Sequence, residues 1–214
     1  MHQLSPYIGK LKSIIAKDLI LKYSQPQDLL VDPFSGSGTI PFEAVLNGRN
    51  IFAADLSPYA RILTLGKLSA VISEEDALGI AEKLLQKAFN QKTPDLRSIP
   101  IWVRNFFHPN TLREAIQFSG ICKKKGYEFF FACFLGILHH QRPGFLSYPS
   151  SHLIPYLRNK KFPPNTYPEM YEYRDLRSRL LAKIKRAYRR YSFLDNKLRW
   201  EFRQTNVKDL VLPK

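Results

Sequence analysis

Short apolar runs alternate with amphipathic segments in the first third of the chain. Residues 29–31 and 51–54 are apolar runs bounded by polar or turn residues, which is typical of buried strands in a parallel sheet. Residues 6–22 carry apolar side chains at helical spacing, and Gly48, between the two runs, is a typical helix C-cap. The pattern predicts alternating helices and strands, the arrangement of an α/β fold.

Helical periodicity dominates the middle of the chain. Helices are predicted over residues 73–89, which begin with a serine cap and three acids, over residues 110–126, and over residues 128–140, which are apolar on most faces. Residues 142–166 are rich in proline, serine and aromatic residues and predict a long loop. One long helix is then predicted over residues 167–191, with apolar residues on one face and arginines and lysines on the others.

Positive charge is concentrated in the last third of the chain. The 214 residues carry a net charge of +15, of which residues 1–66 contribute +1, residues 67–141 contribute +3 and residues 142–214 contribute +11. Such a localised positive field predicts a polyanionic partner, most simply nucleic acid, although a solvated basic helix without a ligand would look similar.

Other classes of protein fit the composition poorly. The chain has no run of 18 apolar residues and no signal peptide, which predicts a soluble protein. Cys122 and Cys133 are isolated, and the pair His139–His140 has no acid or cysteine at matching spacing. We therefore expect a cytoplasmic protein without disulfides or a metal site.

The candidate chemistry begins at the end of the first predicted strand, where Asp32 is followed by a glycine-rich turn and a helix that starts at Thr39. No lysine follows Gly38, as a P-loop would require, and Pro41 stands where a dinucleotide fingerprint has its third glycine. A carboxylate before the glycines repels a phosphate but suits a positively charged ligand, such as the amino group of S-adenosylmethionine. A plain strand-to-helix turn is the simpler alternative.

The second acid of interest is Asp55, at the end of the second predicted strand and 17 residues after Gly38. Doubly wound folds place ligand contacts at the carboxyl ends of their strands, and ribose-binding acids follow such loops by about 20 residues. Asp55 is therefore predicted to bind a ribose. Capping of a helix that starts near Pro58 is the alternative role.

These residues carry a resemblance to a known family. The segment of residues 32–60 resembles the cofactor half of class I S-adenosylmethionine-dependent methyltransferases, and most of all the DNA amino-methyltransferases, such as those of restriction–modification systems. The likeness rests on the loop, on Glu43–Ala44 and on Asp55. It implies direct attack of adenine N6 or cytosine N4 on the methyl group of S-adenosylmethionine.

The resemblance also implies further contacts with the cofactor. A segment similar to residues 5–10 packs beside the methionine end of the cofactor, and residues 206–210 are similar to a loop that touches the adenine, with Asn206 in place of the usual acid. The predicted cofactor-binding residues are Tyr7, Gly9, Asp32, Pro33, Phe34, Ser35, Gly36, Ser37, Gly38, Thr39, Asp55, Leu56, Ser57, Asn206 and Val207.

Residues 198–205 alternate apolar and polar side chains and predict a third strand. The expected fold is thus α/β, a partial Rossmann-like methyltransferase sheet with a mainly helical insertion. Residues 1–66 would be the cofactor-binding half, residues 67–195 the target-recognition insertion and residues 196–214 the strand that returns to the sheet.

Basic residues of the insertion are the candidates for binding nucleic acid, since arginine and lysine suit phosphates, while Tyr148 or Phe145 could stack on an exposed base. The predicted nucleic-acid contacts are Arg142, Tyr148, Arg158, Lys160, Lys161, Arg177, Arg179, Lys183, Lys185, Arg186, Arg189 and Arg190.

The catalytic motif of the resembled family, Asp/Asn/Ser-Pro-Pro-aromatic, does not occur in the sequence. The only Pro-Pro pair, Pro163–Pro164, has its flanking residue types reversed, so we assign no catalytic residue. We therefore expect one part of a split or truncated DNA methyltransferase, whose catalytic motif lies in a second polypeptide or in a missing continuation.

Two other functions remain open. One is an RNA or tRNA guanine methyltransferase, which usually has an RNA-binding domain before the loop, where only residues 1–31 stand here. The other is a non-catalytic binding module or an inert gene remnant.

Overall fold

The computed structural model describes residues 1–70, 73–124, 126–139, 144–149, 153–189, 194 and 197–212. It is a mixed α/β structure with a small parallel sheet and many helices, which confirms the expected partial Rossmann-like fold with a mainly helical remainder. The elements are α1 Ser13–Tyr23, β1 Leu29–Asp32, α2 Thr39–Leu46, β2 Asn50–Asp55, α3 Pro58–Leu68, α4 Glu74–Phe89, α5 Ile101–Arg104, α6 Pro109–Cys122, α7 Glu128–Leu138, α8 Pro155–Lys161, α9 Leu176–Tyr188 and β3 Trp200–Gln204.

Among the described residues, the sheet has three parallel strands in the order β1-β2-β3. Leu29 of β1 pairs with Asn50 of β2, and Asp55 of β2 pairs with Gln204 of β3. All three carboxyl ends therefore lie at the same edge of the sheet. At that edge the Thr205 amide donates to the Asp55 carbonyl at 3.2 Å, so the loops after β2 and β3 are held together.

Two apolar cores stabilise the chain. The smaller core joins α1, α2 and the end of α3 to the sheet through side chains such as Ile20, Val45 and Ile51. The larger core packs α3, α4, α6, α7 and α9 together. Gly66 of α3 brings its helix against α7, since a Cβ at this position would lie 2.9 Å from the Glu128 carbonyl oxygen. The helical region is thus packed directly on the cofactor-binding half.

The N-terminal segment, residues 1–12, is not the start of a helix, and the helix predicted over residues 6–22 begins only at Ser13. Gly9 has a φ of +76°, which a helix cannot contain, and Ile8 is fully exposed. Leu4 is buried, and its carbonyl oxygen packs against Gly136 of α7. The segment is therefore an irregular stretch with turns that lies against the helices, and periodicity alone does not distinguish it from a helix.

Two further predictions were wrong in part. The loop predicted over residues 142–166 contains α8, and in the described part of its start Leu146, Ser147 and Tyr148 are buried. The long helix predicted over residues 167–191 begins only at Leu176, because Asp175 caps it by accepting from the Ser178 amide at 2.9 Å. The end of that prediction, after Arg189, lies outside the described residues.

No helix in the described ranges is long and apolar enough to cross a membrane.

Candidate functional site

The glycine-rich loop, residues 33–38, connects β1 to α2 and is fastened to β2. The Ser35 amide donates to the Ala54 carbonyl at 2.9 Å, and the Gly38 amide donates back to the Ser35 carbonyl at 2.7 Å. Gly36 and Gly38 have φ angles of +50° and +70°, which side chains with a Cβ disfavour. The two glycines therefore allow the backbone to turn sharply over the end of the sheet.

Helix α3 packs against the same loop. The Ser35 hydroxyl lies 3.2 Å from that of Thr64, and a Cβ on Gly38 would lie 2.7 Å from the Thr64 Cα atom. Lys67, one turn further along α3, donates from its ammonium to the Ser37 carbonyl. These contacts leave the loop little freedom to move toward the helix.

Asp55 links the loop to the start of α3. One carboxylate oxygen accepts from the Gly36 amide at 2.8 Å, and the other accepts from the Ser57 amide at 2.9 Å. Ser57 is the cap of α3, since its hydroxyl accepts from the Ala60 amide at 3.4 Å. Asp55 therefore organises the turn before the helix, and its carboxylate retains lone pairs for a ligand.

The N-terminal segment closes the other side of the loop through Tyr7. The ring of Tyr7 lies against Gly36, where a Cβ would be 3.2 Å from the tyrosine hydroxyl. It also stacks on Tyr59 of α3, with ring centroids 6.0 Å apart and planes 17° apart. The Tyr59 hydroxyl donates to the Pro6 carbonyl at 2.6 Å and holds the segment in place.

A cavity of about 340 Å³ lies between the segment and the loop, within the usual size of small-molecule sites. Nine of the fifteen residues predicted to bind the cofactor line it: Tyr7, Gly9, Asp32, Phe34, Ser35, Gly36, Ser37, Thr39 and Asp55. Lys10, Leu11 and Ile40 also line it, although the sequence analysis did not single them out.

Two carboxylates face this cavity, from the ends of adjacent strands. Burial raises the pKa of Asp32, the bond from the Phe34 amide opposes the rise, and the nearby Asp55 adds to it. Burial, followed by the proximity of Asp55, likewise raises the pKa of Tyr7. The carboxylates can therefore accept hydrogen bonds from an ammonium group and from ribose hydroxyls, which is the donor set that S-adenosylmethionine presents.

Six predicted cofactor residues do not line the cavity. Pro33 and Gly38 help to form the loop. The other four follow β2 or β3, and so lie at the same edge of the sheet as the loop. Leu56 is exposed, Ser57 caps α3, and Asn206 caps a short turn by accepting from the Lys208 amide at 3.0 Å. Val207, the sixth, is exposed at the start of that turn.

Lys67 is a supporting residue that the sequence analysis missed. The pKa of its ammonium is lowered from 10.5 to about 7, mainly by burial and also by the nearby Lys10, while Glu43 opposes the shift. The signal was present in the sequence, because Lys67 stands one turn after Leu63 on the buried stripe of α3. A lysine on an apolar stripe indicates a buried partner, here the loop carbonyl of Ser37.

The free energy of unfolding is expected to rise with pH because of Lys67. Its pKa is about 7 in the folded chain and 10.5 as the ordinary value, so the unfolded chain binds more protons between these values and stability increases as pH rises from 7. Urea denaturation at about pH 7 and pH 8.5 measures this. The thiols of Cys122 and Cys133, whose pKa burial raises from 9.0 to about 12, begin to ionise in the unfolded chain at pH 8.5 and oppose the rise, but they do so in the variant as well. The increase in the free energy of unfolding between these two pH values should be smaller in Lys67→Met.

The exposed Lys87 of α4 provides the matched control for that experiment. Lys87→Met removes the same charge from the surface and should keep the full pH dependence. An equal rise in Lys67→Met and in the unchanged chain would contradict the assignment to Lys67.

The residues predicted to contact nucleic acid differ in their exposure to solvent. Lys160, Lys161, Arg177, Lys185, Arg186 and Arg189 are exposed, and Arg179 and Lys183 are half-buried. Arg158 is buried between the rings of Tyr148 and Tyr171, at 5.1 and 5.4 Å from their centroids, and donates to the Asn105 carbonyl. Tyr148 is buried as well, so neither residue reaches a ligand at the surface. Arg142 and Arg190 lie outside the described residues.

No group of three or more histidine, cysteine or acidic side chains that could hold a metal occurs in the part of the chain that the structure describes.

Comparison with known proteins gives one finding. Residues 5–98 match the family described as "UPF0020: RMKL-like, methyltransferase domain", and the match covers less than half of the 214 residues. It includes the N-terminal segment from Ser5, the loop, β2, α3 and α4. The match supports a class I S-adenosylmethionine methyltransferase. No curated protein and no solved structure matches the chain.

Proposed function

We propose that the chain is the S-adenosylmethionine-binding and DNA-binding part of a site-specific DNA amino-methyltransferase. The observation that carries the proposal is the cavity at the carboxyl ends of β1 and β2, which Asp32, Asp55 and the glycine-rich loop line together. Its position agrees with the methyltransferase match, which spans all of these elements. The basic helical remainder, with its excess of positive charge, supports a nucleic acid as the methyl acceptor.

Each side chain of the cavity has a separate role in this proposal. Asp32 accepts hydrogen bonds from the ammonium group of the methionine moiety, and Asp55 accepts them from the ribose hydroxyls. Tyr7, held by Tyr59, covers the cofactor from the N-terminal segment. When bound, S-adenosylmethionine supplies an electrophilic methyl group, and an exocyclic amine of the target base attacks it directly.

In this proposal the group that prepares the acceptor amine comes from a second polypeptide or from a continuation of the chain, since residues 1–214 lack the Pro-Pro-aromatic motif. Among the described residues, β1 pairs only with β2 and leaves its other edge open. Leu29 and Val31, on one face of β1, are 52% and 42% exposed, and Phe34 beside the cavity is 71% exposed. Apolar groups at an open sheet edge support coverage by further protein.

Replacing Asp32 by asparagine is expected to weaken S-adenosylmethionine binding about tenfold or more, because a charged hydrogen bond contributes roughly 1.5–3 kcal/mol. Isothermal titration calorimetry measures the dissociation constant. Asp28→Asn is the matched control, since it makes the same charge change at the exposed start of β1 and should leave the affinity unchanged. Absence of binding to the unchanged chain, also in the presence of a complementary catalytic polypeptide, would reject the proposal.

The kind of nucleic acid is tested separately. Duplex DNA and tRNA are compared by fluorescence anisotropy at the same salt concentration, because salt dominates the affinity of both. We expect tighter binding to duplex DNA. Preference for tRNA would favour an RNA guanine methyltransferase, and absence of binding to either would limit the chain to a cofactor-binding module.

A further inference from the structure

A second cavity, of about 530 Å³, lies between the N-terminal segment and the end of α9. The α9 side contributes Lys183, Arg186 and Arg189, and the other side is formed mainly by residues 1–3. Arg186 and Arg189 are exposed and three residues apart, so they lie one turn from each other on the helix surface. The cavity is therefore open to solvent and basic on one wall.

Five of the six cations in residues 177–189 fall into two groups. At the start of the helix, Arg177 forms an ion pair with Glu82 at 2.9 Å, and Arg179 forms one with Asp175 at 3.4 Å. No ion pair with a carboxylate is found for Lys183, Arg186 or Arg189 within the described ranges, and Lys183 donates to the Gln3 carbonyl at 2.7 Å instead. The second group thus presents charge that no carboxylate of the described residues neutralises.

The surroundings of this cavity add to the positive charge. Burial lowers the pKa of Lys183, Cys133 opposes the shift, and Arg186 and Lys10 lower the pKa further. Lys10 donates to the His2 carbonyl. The carboxylate of Glu43 is already engaged, since it lies 2.8 Å from the ring nitrogen of His2. An anion in the cavity would relieve the repulsion among these cations.

The N-terminal segment is shared between this cavity and the cofactor cavity. His2 and Gln3 line the basic cavity, while Tyr7, Gly9 and Lys10 line the cofactor cavity only a few residues later. A group bound beside Arg186 would therefore contact the same segment as a bound methyl donor. A phosphate near the target nucleotide is suited to such a position, because phosphate contacts set the register of a protein on DNA.

We propose that Lys183, Arg186 and Arg189, together with the N-terminal segment, form a binding site for a backbone phosphate of the DNA. The site rests on the proposed DNA-binding function and specifies which cations of α9 carry it. Arg186 and Arg189 offer the planar donor fork that matches phosphate oxygens, and Lys183 adds a point charge. The ion-paired start of α9 contributes little to the affinity.

The test compares two double variants that remove the same charge from the same helix. Arg186→Gln/Arg189→Gln changes the cavity, whereas Arg177→Gln/Lys185→Gln changes two residues of α9 that do not line it. Anisotropy titrations with a labelled DNA duplex at about 50 to 200 mM salt yield the slope of log affinity against log salt. Circular dichroism and S-adenosylmethionine calorimetry verify that each variant is folded and retains the cofactor site.

The cavity variant should reduce the salt slope by about 1 unit, since one phosphate contact contributes roughly 0.9, and should bind DNA at least tenfold more weakly. The control variant should change the slope by less than half as much. Equal losses in both variants would mean that the helix attracts DNA only through its overall charge, and the site would be rejected. An unchanged slope in the cavity variant would reject the site but leave the DNA-binding function in place.

Two further results distinguish a failure of the proposed phosphate site from a failure of the proposed DNA-binding function. If the unchanged chain binds S-adenosylmethionine but no DNA, the DNA-binding function itself is wrong, and the site fails with it. A titration with inorganic phosphate at constant ionic strength identifies a small-anion site. Saturable phosphate binding that the cavity variant loses, with DNA affinity unaltered, would assign the cavity to a free phosphate and overturn its assignment to DNA.

Discussion

Replacing Gly38 by alanine is expected to abolish S-adenosylmethionine binding and to lower the free energy of unfolding by roughly 2–4 kcal/mol. Gly38 has a φ of +70°, and an added Cβ would lie 2.7 Å from the Thr64 Cα atom. That neighbour is backbone of α3, which Ser57 caps and which packs against α7, so it cannot give way cheaply. The loop must then lift away from α3, and the contacts of Ser35 and Ser37 with α3 are lost.

Gly48→Ala is the control that separates the clash from the backbone strain. Gly48 has a φ of +82°, but no atom lies within 4 Å of an added Cβ. Gly48→Ala should lower the free energy of unfolding by about 1 kcal/mol and leave the dissociation constant for S-adenosylmethionine unchanged. Urea denaturation and calorimetry measure both quantities. Cofactor binding by Gly38→Ala that is as tight as that of Gly48→Ala would contradict the role assigned to the loop.

Replacing Gly136 by alanine is expected to release the N-terminal segment from the helices. Gly136 lies within α7, where alanine normally stabilises by up to about 1 kcal/mol, but its added Cβ would overlap the Leu4 carbonyl oxygen. Since Tyr7 of the same segment covers the loop at Gly36, release should also weaken S-adenosylmethionine binding at least tenfold. Hydrogen exchange of residues 1–12, followed by mass spectrometry, reports the release directly.

Gly79→Ala provides the comparison for this variant. Gly79 is also within a helix, α4, and an added Cβ meets no atom within 4 Å. It should stabilise the chain slightly, by up to about 1 kcal/mol, without altering exchange in the N-terminal segment. If residues 1–12 remain as protected in Gly136→Ala as in Gly79→Ala, the segment is not held by this contact.

Sequence patterns that span only a few residues predicted the secondary structure of the cofactor half well. The end of β1 at Asp32, the start of α2 at Thr39, the positive φ of Gly48 and the end of β2 at Asp55 all agree with the structure. Each depends on interactions within a few residues: apolar runs, glycine caps and the turn that follows a buried strand. The serine cap of α4 is also confirmed, since Ser73 accepts from the Asp76 amide at 3.0 Å.

Prediction was poorer where contacts distant in sequence decide the structure. Residues 6–12 have helical periodicity, but Tyr59 and Gly136, which hold the segment in its irregular conformation, lie far along the chain. Charge patterning placed Arg158 among the nucleic-acid contacts, whereas the fold buries it between two tyrosines. Composition counts positive charges but does not show which of them have a carboxylate or a ring beside them.

The sequence by itself determined the α/β class, the position of the glycine-rich loop and the two acids at the strand ends, because these follow from local backbone preferences and burial patterns. Only the tertiary structure decided that both acids face one cavity, that Lys67 and Tyr7 support the loop, and which cations of α9 form ion pairs with described carboxylates. Those features depend on side chains that meet across many residues of chain, and their distances are set by how α3, α7 and α9 pack together.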